Sequence, residues 1–337
     1  MRAIQLHAFG DPDRLVLDDL PDLSPGPDQV RIAVESSGVH LLDTSLRRGE
    51  TGPLPLPELP TVPGREVAGT VDAVGDAVDP EWLGRRVVAH LGPVPGGYAQ
   101  QAVTSLANLI PVPAGLTLDE AVGLVGTGRT AEGILEQAGL SAEDTVLIPA
   151  AAGGLGWLLT QAALTAGATV IAAAGGPEKV RRLRELGAQA VDYHEPDWAA
   201  AIGRAATVVL DGVGGAIGRR AMHQLAPGGR MLMFGYSSGT PTEVTTADLI
   251  ALNISAGWNL GPRMFARPGG IRGLAEQALA RGARGEWRPL ISAYPLEEAA
   301  RAHRDLEERR TVGKVVLRSS PGQSSPSVEN ATTPRRI

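Results

Sequence analysis

Residues Thr145 to Gly156, TVLIPAAAGGLG, constrain the rest of the chain more than any other stretch. Thr145-Val146-Leu147-Ile148 is short and apolar, which suits a strand buried in a parallel sheet. A glycine-rich turn follows at once, and Trp157 to Ala163 then read as a helix. A dinucleotide pyrophosphate needs this order. Small residues let the backbone approach the phosphates, and the free N–H groups of the helix opening meet their charge. The usual spacing is G-x-G-x-x-G; here Ala151, Gly153 and Gly156 hold the three places, with alanine first. Glycine turns also arise for steric reasons alone. The strand before and the helix after are what point to a nucleotide.

At 337 residues the chain has the length of roughly two domains. Hydrophobic residues make up 43% and charged residues 20%, as in a soluble globular protein. A net charge of −6 and a pI near 5.6 argue against a nucleic-acid partner. No apolar run approaches the roughly 18 residues of a membrane span. The opening MRAIQLHAFGDPD lacks an apolar signal core, so the expected location is cytoplasmic. There is no cysteine, which removes disulfides, thiolate catalysis and zinc sites built on sulfur.

Along the chain, residues 1 to about 117 are rich in proline, glycine and alternating apolar positions. Arg2 to His7, Gln29 to Glu35, Glu66 to Val74 and Arg85 to Ala89 read as strands, and Leu41 to Arg48 as a helix. Turn signals such as Ser24 to Pro27 and Pro53 to Pro63 separate them. From Leu118 the texture changes. Aliphatic runs at 145–149, 169–174, 206–210 and 230–234 alternate with helical stretches at 154–167, 177–186 and 215–225, which implies a doubly wound parallel sheet in an α/β fold. Trp287 to Tyr294, a helix over Leu296 to Glu308 and a strand over Gly313 to Arg318 close the fold. The Ser/Pro/Thr-rich stretch 319–337 reads as a disordered tail.

The second strand of the parallel sheet ends at Ala174-Gly175-Gly176, beside the adenosine ribose. NAD enzymes usually carry Asp or Glu there for the 2′-hydroxyl. A carboxylate would repel a 2′-phosphate, and its absence leaves room for one. Lys179 supplies a point charge and Tyr193 a phenolic donor, so the expected cofactor is NADPH. Solvated lysine and half-buried loop tyrosine are the plainer readings of these two residues.

Several ordered stretches carry a family likeness: Gly38-Val39-His40-Leu41-Leu42-Asp43, Pro63 to Val71, Gly128-Arg129-Thr130-Ala131, Ala150 to Gly156, Asp211 to Gly215, Leu225 to Arg230, Phe234-Gly235 and Gly313 to Val316. Through them the chain resembles the medium-chain dehydrogenase/reductase superfamily, and most of all its zinc-free quinone oxidoreductase branch. The resemblance implies a GroES-like β-rich catalytic domain over 1–117, a Rossmann NADPH-binding domain over 118–284 and a return to the catalytic domain over 285–318. It implies that Ala152, Gly153, Gly154, Leu155 and Gly156 hold the pyrophosphate. Gly176, Lys179 and Tyr193 would surround the 2′-phosphate, and Gly212 and Val213 the adenosine or ribose. Thr130, Phe234, Gly235, Tyr236, Ser237 and Lys314 would complete the cofactor site. It also implies a homodimer paired through a Rossmann sheet edge, with Glu243 to Asn259 as the candidate segment.

The zinc-dependent branch has cysteine where His40 stands and histidine where Arg65 stands. Arginine cannot ligate a cation, and one imidazole does not make a tetrahedral site, so no metal is expected. His40 also departs from the quinone-reductase pattern, where asparagine is usual. Without a metal to polarise an alcohol, the expected reaction is hydride transfer from NADPH to a quinone or conjugated enone. His40 is the candidate proton or hydrogen-bond donor and Asp43, three residues on, its candidate orienting partner. Asp43 reads more simply as a residue that favours the helix start or serves structure. Arg47 and Arg129 read as salt-bridge residues, and His7, His90, His194, His223 and His303 show no ligand-like grouping. An enoyl-thioester or natural-product double-bond reductase is the competing enzyme, and a non-catalytic NADPH-binding redox sensor the competing class.

Overall fold

The computed structural model describes residues 1–50, 52, 55–92 and 95–319. Part of the expected turn over Pro53 to Pro63, and all of the expected tail except Ser319, lie outside these residues. Six parallel strands form one sheet, in the spatial order Gln189–Asp192, Thr169–Ala174, Thr145–Pro149, Ala206–Asp211, Leu225–Met233 and Ser255–Trp258. The central strands are aliphatic throughout because helices cover both faces: Val146, Leu147, Ile148, Val208, Val209 and Leu210 are fully buried. Strand order reverses at Thr145–Pro149, and such a switch point is where open α/β sheets take ligands. Helix Gly154–Thr165 starts here. A Cβ at Gly156 would overlap the backbone of Ala150 and Ala151, so only glycine lets this helix sit so close to the turn.

The second sheet has seven strands and is mostly antiparallel. Its order is Ile291–Pro295, Lys314–Arg318, Gln29–Val39, Glu66–Val74, Arg86–His90 and Leu109–Pro111, with Gln101–Ser105 also paired to Gln29–Val39. The chain thus leaves this sheet, builds the parallel one and returns. The strand expected over Gln29 to Glu35 runs on to Val39. Ser36, Ser37 and Gly38 lack strand propensity, but neighbours on both sides hold their backbone in the ladder. The strand expected at 230–234 begins at Leu225, across Pro227-Gly228-Gly229, with a register shift opposite Ala206 and Val208.

Helix Leu118–Val125 falls in the segment read as Rossmann, yet it packs on strands Gln29–Val39, Glu66–Val74 and Arg86–His90 of the antiparallel sheet. Helix Gly270–Ala283 packs on it and on Thr127–Ala138. Strand Ser255–Trp258 therefore stays a sheet edge, with Trp258 half exposed and Ile250 76% exposed nearby. No helix among the described residues is long and apolar enough to cross a membrane.

Candidate active site

Strand register assembles the site. Gly38 stands opposite Glu66, Glu66 opposite His90, and Val315 opposite Val39, so His40, Glu66, His90 and Lys314 meet at one end of the antiparallel sheet. Lys314 Nζ donates to Glu66 Oε2 at 2.9 Å and lies 2.9 Å from His40 Nε2. His40 Nε2 is 2.7 Å from Glu66 Oε1, an ion-pair contact without hydrogen-bond alignment. Glu66 is fully buried and Lys314 nearly so, while 26% of the His40 side chain stays open. The carboxylate fits because Gly38 and Gly126 face it; a Cβ at either would overlap its oxygens. Burial pushes the Glu66 pKa up, but His40 and Lys314 beside it outweigh that and hold it well below the usual carboxylate range.

Asp43 corrects one expectation. Its carboxylate does not touch the His40 ring. Oδ2 accepts the His40 backbone N–H at 2.8 Å and the Tyr98 hydroxyl at 3.1 Å. Helix Leu41–Arg48 begins after His40, and a carboxylate at its third position folds back onto the residue that caps it. Asp43 is thus a positioning residue for the backbone of His40. Tyr98 oxygen also lies 3.1 Å from Nε2 of the fully buried His303. Burial holds His303 down at about 4 and pushes Tyr98 well up, so this chain of groups is neutral beyond Asp43.

The second part is a groove at the switch point. Of the expected cofactor residues it brings together Ala152, Gly153, Gly154, Lys179 and Tyr193. Gly176 lies just before helix Pro177–Glu185 with φ at +90°, and its N–H donates to the Asp192 carboxylate. That acid closes the next strand, and it is turned to the backbone N–H groups of Gly176 and His194. Arg309, which sequence reading passed over within a charged run, also lines the groove. Its carbonyl accepts from Lys179 Nζ and its guanidinium donates to Ser237 O.

Gly212, Val213, Phe234, Gly235, Tyr236 and Ser237 form a separate cluster at the ends of two adjacent parallel strands. There Ser237 N–H donates to Gly212 O, and Phe234 packs where a Gly212 Cβ would stand. Arg309 ties this cluster to the groove. Leu155 and Gly156 lie in the first turn behind the glycines. Thr130 and Lys314 do not line the groove: the Thr130 hydroxyl donates to Gly126 O, and Lys314 turns to Glu66. Its neighbour Gly313 does line it, and Gly313 N–H donates to Ala152 O at 2.7 Å.

Two residues read as ordinary, His90 and Arg129, gather round Glu66. His90 is held down at about 4, by burial first and then by Arg129. Arg129 itself is pushed down by burial and feels the charges of Glu66 and Arg65. Residue spacing carries no signal for this grouping, which comes from cross-strand pairing. No group of three or more His, Asp or Glu side chains able to hold a metal occurs among the described residues.

Residues 26–114 match the alcohol dehydrogenase GroES-like domain family, and residues 186–317 the zinc-binding dehydrogenase family. A 2-haloacrylate reductase of a Burkholderia species is 32% identical over 330 residues, which cover 94% of this chain and 98% of that protein. A quinone oxidoreductase of Pseudomonas aeruginosa is 32% identical over 327 residues, covering 94% and 99%. The chain belongs to the quinone oxidoreductase-like medium-chain dehydrogenase/reductases. Among solved members of this family, Escherichia coli quinone oxidoreductase complexed with NADPH superposes with a TM-score of 0.82 at 26% identity, over 94% of this chain and all of that one. As a medium-chain dehydrogenase/reductase, the protein is an oxidoreductase with a nicotinamide-binding fold and a small-molecule substrate.

Proposed function

We propose that the protein transfers a hydride from NADPH to a quinone or conjugated enone without a metal. The observation that carries the cofactor choice is that Lys179 and Tyr193 line the groove of Gly153, beyond a strand that ends in alanine and is followed by two glycines. Asp192, the nearest acid, is occupied by backbone N–H groups. When bound, the dinucleotide supplies the hydride. Ala152, Gly153 and Gly154 would hold its phosphates, and Lys179 would leave the Arg309 carbonyl for the 2′-phosphate.

His40 is the partly open member of the buried ionic group. Lys314 Nζ and Glu66 Oε1 both face its Nε2, which leaves Nδ1 as the ring nitrogen available to a substrate oxygen as charge develops there. Glu66 keeps the pair oriented, and Asp43 fixes the backbone below it. Arginine at position 65 supports the metal-free reading, since a guanidinium cannot ligate zinc. The relatives named as a quinone oxidoreductase and a 2-haloacrylate reductase agree with an activated alkene or quinone as acceptor. The open edge Ser255–Trp258 supports pairing of two copies through the parallel sheets.

Calorimetry with NADPH and NADH tests the cofactor. NADPH is expected to bind more tightly. Lys179→Ala is expected to lower the NADPH affinity about tenfold or more, the worth of one charge-assisted hydrogen bond, and to leave NADH almost unchanged. Equal loss for both nucleotides would remove Lys179 from the phosphate site.

A further inference from the structure

We propose that the cleft beside His40 binds a conjugated carboxylate, an α,β-unsaturated acid in its anionic form, between Arg65 and Arg129. This rests on the hydride-transfer reading above and narrows its acceptor. A guanidinium stays charged at all working pH values and offers five donors in a planar fork. Two such groups occur here with no carboxylate to spare. Arg65 is 12% exposed, and its Nε is buried without a hydrogen-bond partner. Its nearest acid, Asp43, is 3.8 Å away at Oδ1, and Oδ2 already takes two donors. Arg129 makes no hydrogen bond or ion pair among the described residues, and the one carboxylate whose charge it feels, Glu66, is held by Lys314 and His40.

The cluster thus sets Arg65, Arg129 and Lys314, with His40 beside them, against Glu66 and Asp43, so the cations outnumber the carboxylates. His90 adds a neutral donor. Its Nδ1 accepts the Gly92 N–H at 3.1 Å, so the ring hydrogen sits on Nε2. A carboxylate supplies the missing charge and matches the planar forks of both arginines. Next to Arg65 an apolar cavity lined by Leu46, Pro55, Leu56, Pro57 and Pro63 offers room for the carbon end of the molecule.

The chemistry needs such a pair. Hydride from the reduced nicotinamide cofactor forms a C–H bond at the β-carbon and breaks the C=C π bond. The electron pair moves onto the α-carbon and into the carboxylate, which becomes doubly negative. A proton then forms the α C–H bond, so the acid is reduced by two electrons and the cofactor is oxidised by two. Cations placed at the carboxylate oxygens stabilise that charge where it develops. A neutral quinone carries no charge to match Arg129, which has no acid of its own, or the unbonded Nε of Arg65.

Ligand-observed NMR with 2-butenoate, its amide and the unreactive butanoate tests this on the full-length protein, alone and with NADP⁺. Both carboxylates are expected to bind at least tenfold more tightly than the amide. Arg129→Met and Arg65→Met should each remove most of that preference, and Arg129→Lys should restore part of it. NADPH oxidation should likewise favour 2-butenoate over the amide. Equal binding of acid and amide by the wild-type protein would overturn the proposal even where quinone reduction persists, and would do so if either methionine variant failed to fold. Displacement of the carboxylate by NADPH would overturn it too, since the arginines would then serve the nucleotide. Loss of NADPH binding by the wild type would instead sink the hydride-transfer reading, while carboxylate binding to the free protein still reports on the two arginines.

Discussion

Glu66→Gln is expected to destabilise the protein by about 3–5 kcal/mol, the usual result of leaving one partner of a buried ion pair alone. Lys314 would keep its charge at 4% exposure with no counter-ion, and glutamine offers it only a neutral oxygen. In a protein of this size the melting temperature should fall by roughly 10 °C. Adding Lys314→Met to Glu66→Leu should recover much of the loss, because two apolar side chains leave no stranded charge. A double-mutant cycle by urea unfolding measures the coupling. Additive single effects would show that the two residues do not depend on each other. Glutamine would also release the His40 ring from its anion, so NADPH-dependent turnover should drop in the same variant.

Acid should unfold the protein well above the ordinary carboxylate range, through two histidines. His303 and His90 titrate at about 4 against an ordinary 6.5, both lowered first by burial. The unfolded chain takes up these protons near pH 6.5 and the folded one does not until about pH 4. Their contribution is therefore present in full above pH 6.5 and is lost as the pH falls through that window. Each is worth up to roughly 3 kcal/mol at the lower end, a large share of a typical folding free energy. Urea midpoints measured from pH 7.5 to 4.5 should fall steeply below 6.5. His303→Gln, which places no titrating group beside Tyr98, should flatten the curve; an unchanged slope would mean that His303 charges readily in the folded state.

Much of the parallel sheet was legible in the sequence. Thr145–Pro149 and Thr169–Ala174 were readable to the residue because continuous aliphatic runs bounded by glycine have few other uses. Helix Leu41–Arg48 was readable from its acidic start and its glycine end. The end of strand Gln29–Val39 was not, since Ser36-Ser37-Gly38 follows no strand pattern and is extended only by its neighbours. The same reason hid half of the site. Lys314 and His40 are 274 positions apart and meet through one antiparallel register, and His90 meets Glu66 through another. Spacing along the chain cannot carry such pairings. Arg309 was hidden differently: its run Glu307-Glu308-Arg309-Arg310 reads as a solvated face, but at φ +60° it turns back over the groove. Asp43 was visible, but the choice between gripping a ring and capping a helix depends on which atom faces it.

The bond from Gly313 to Ala152 joins the returning strand to the glycine turn, at the boundary of the two sheets. It acts as a pivot. If the crevice widens by rotation, points next to this seam hardly move, and points far from it sweep through an arc. Lys314 follows Gly313 directly and holds His40, so the imidazole keeps its distance from the nucleotide turn throughout the swing. Entry and exit of reactants would then be left to the outer walls, with the reacting groups staying in alignment from one turnover to the next.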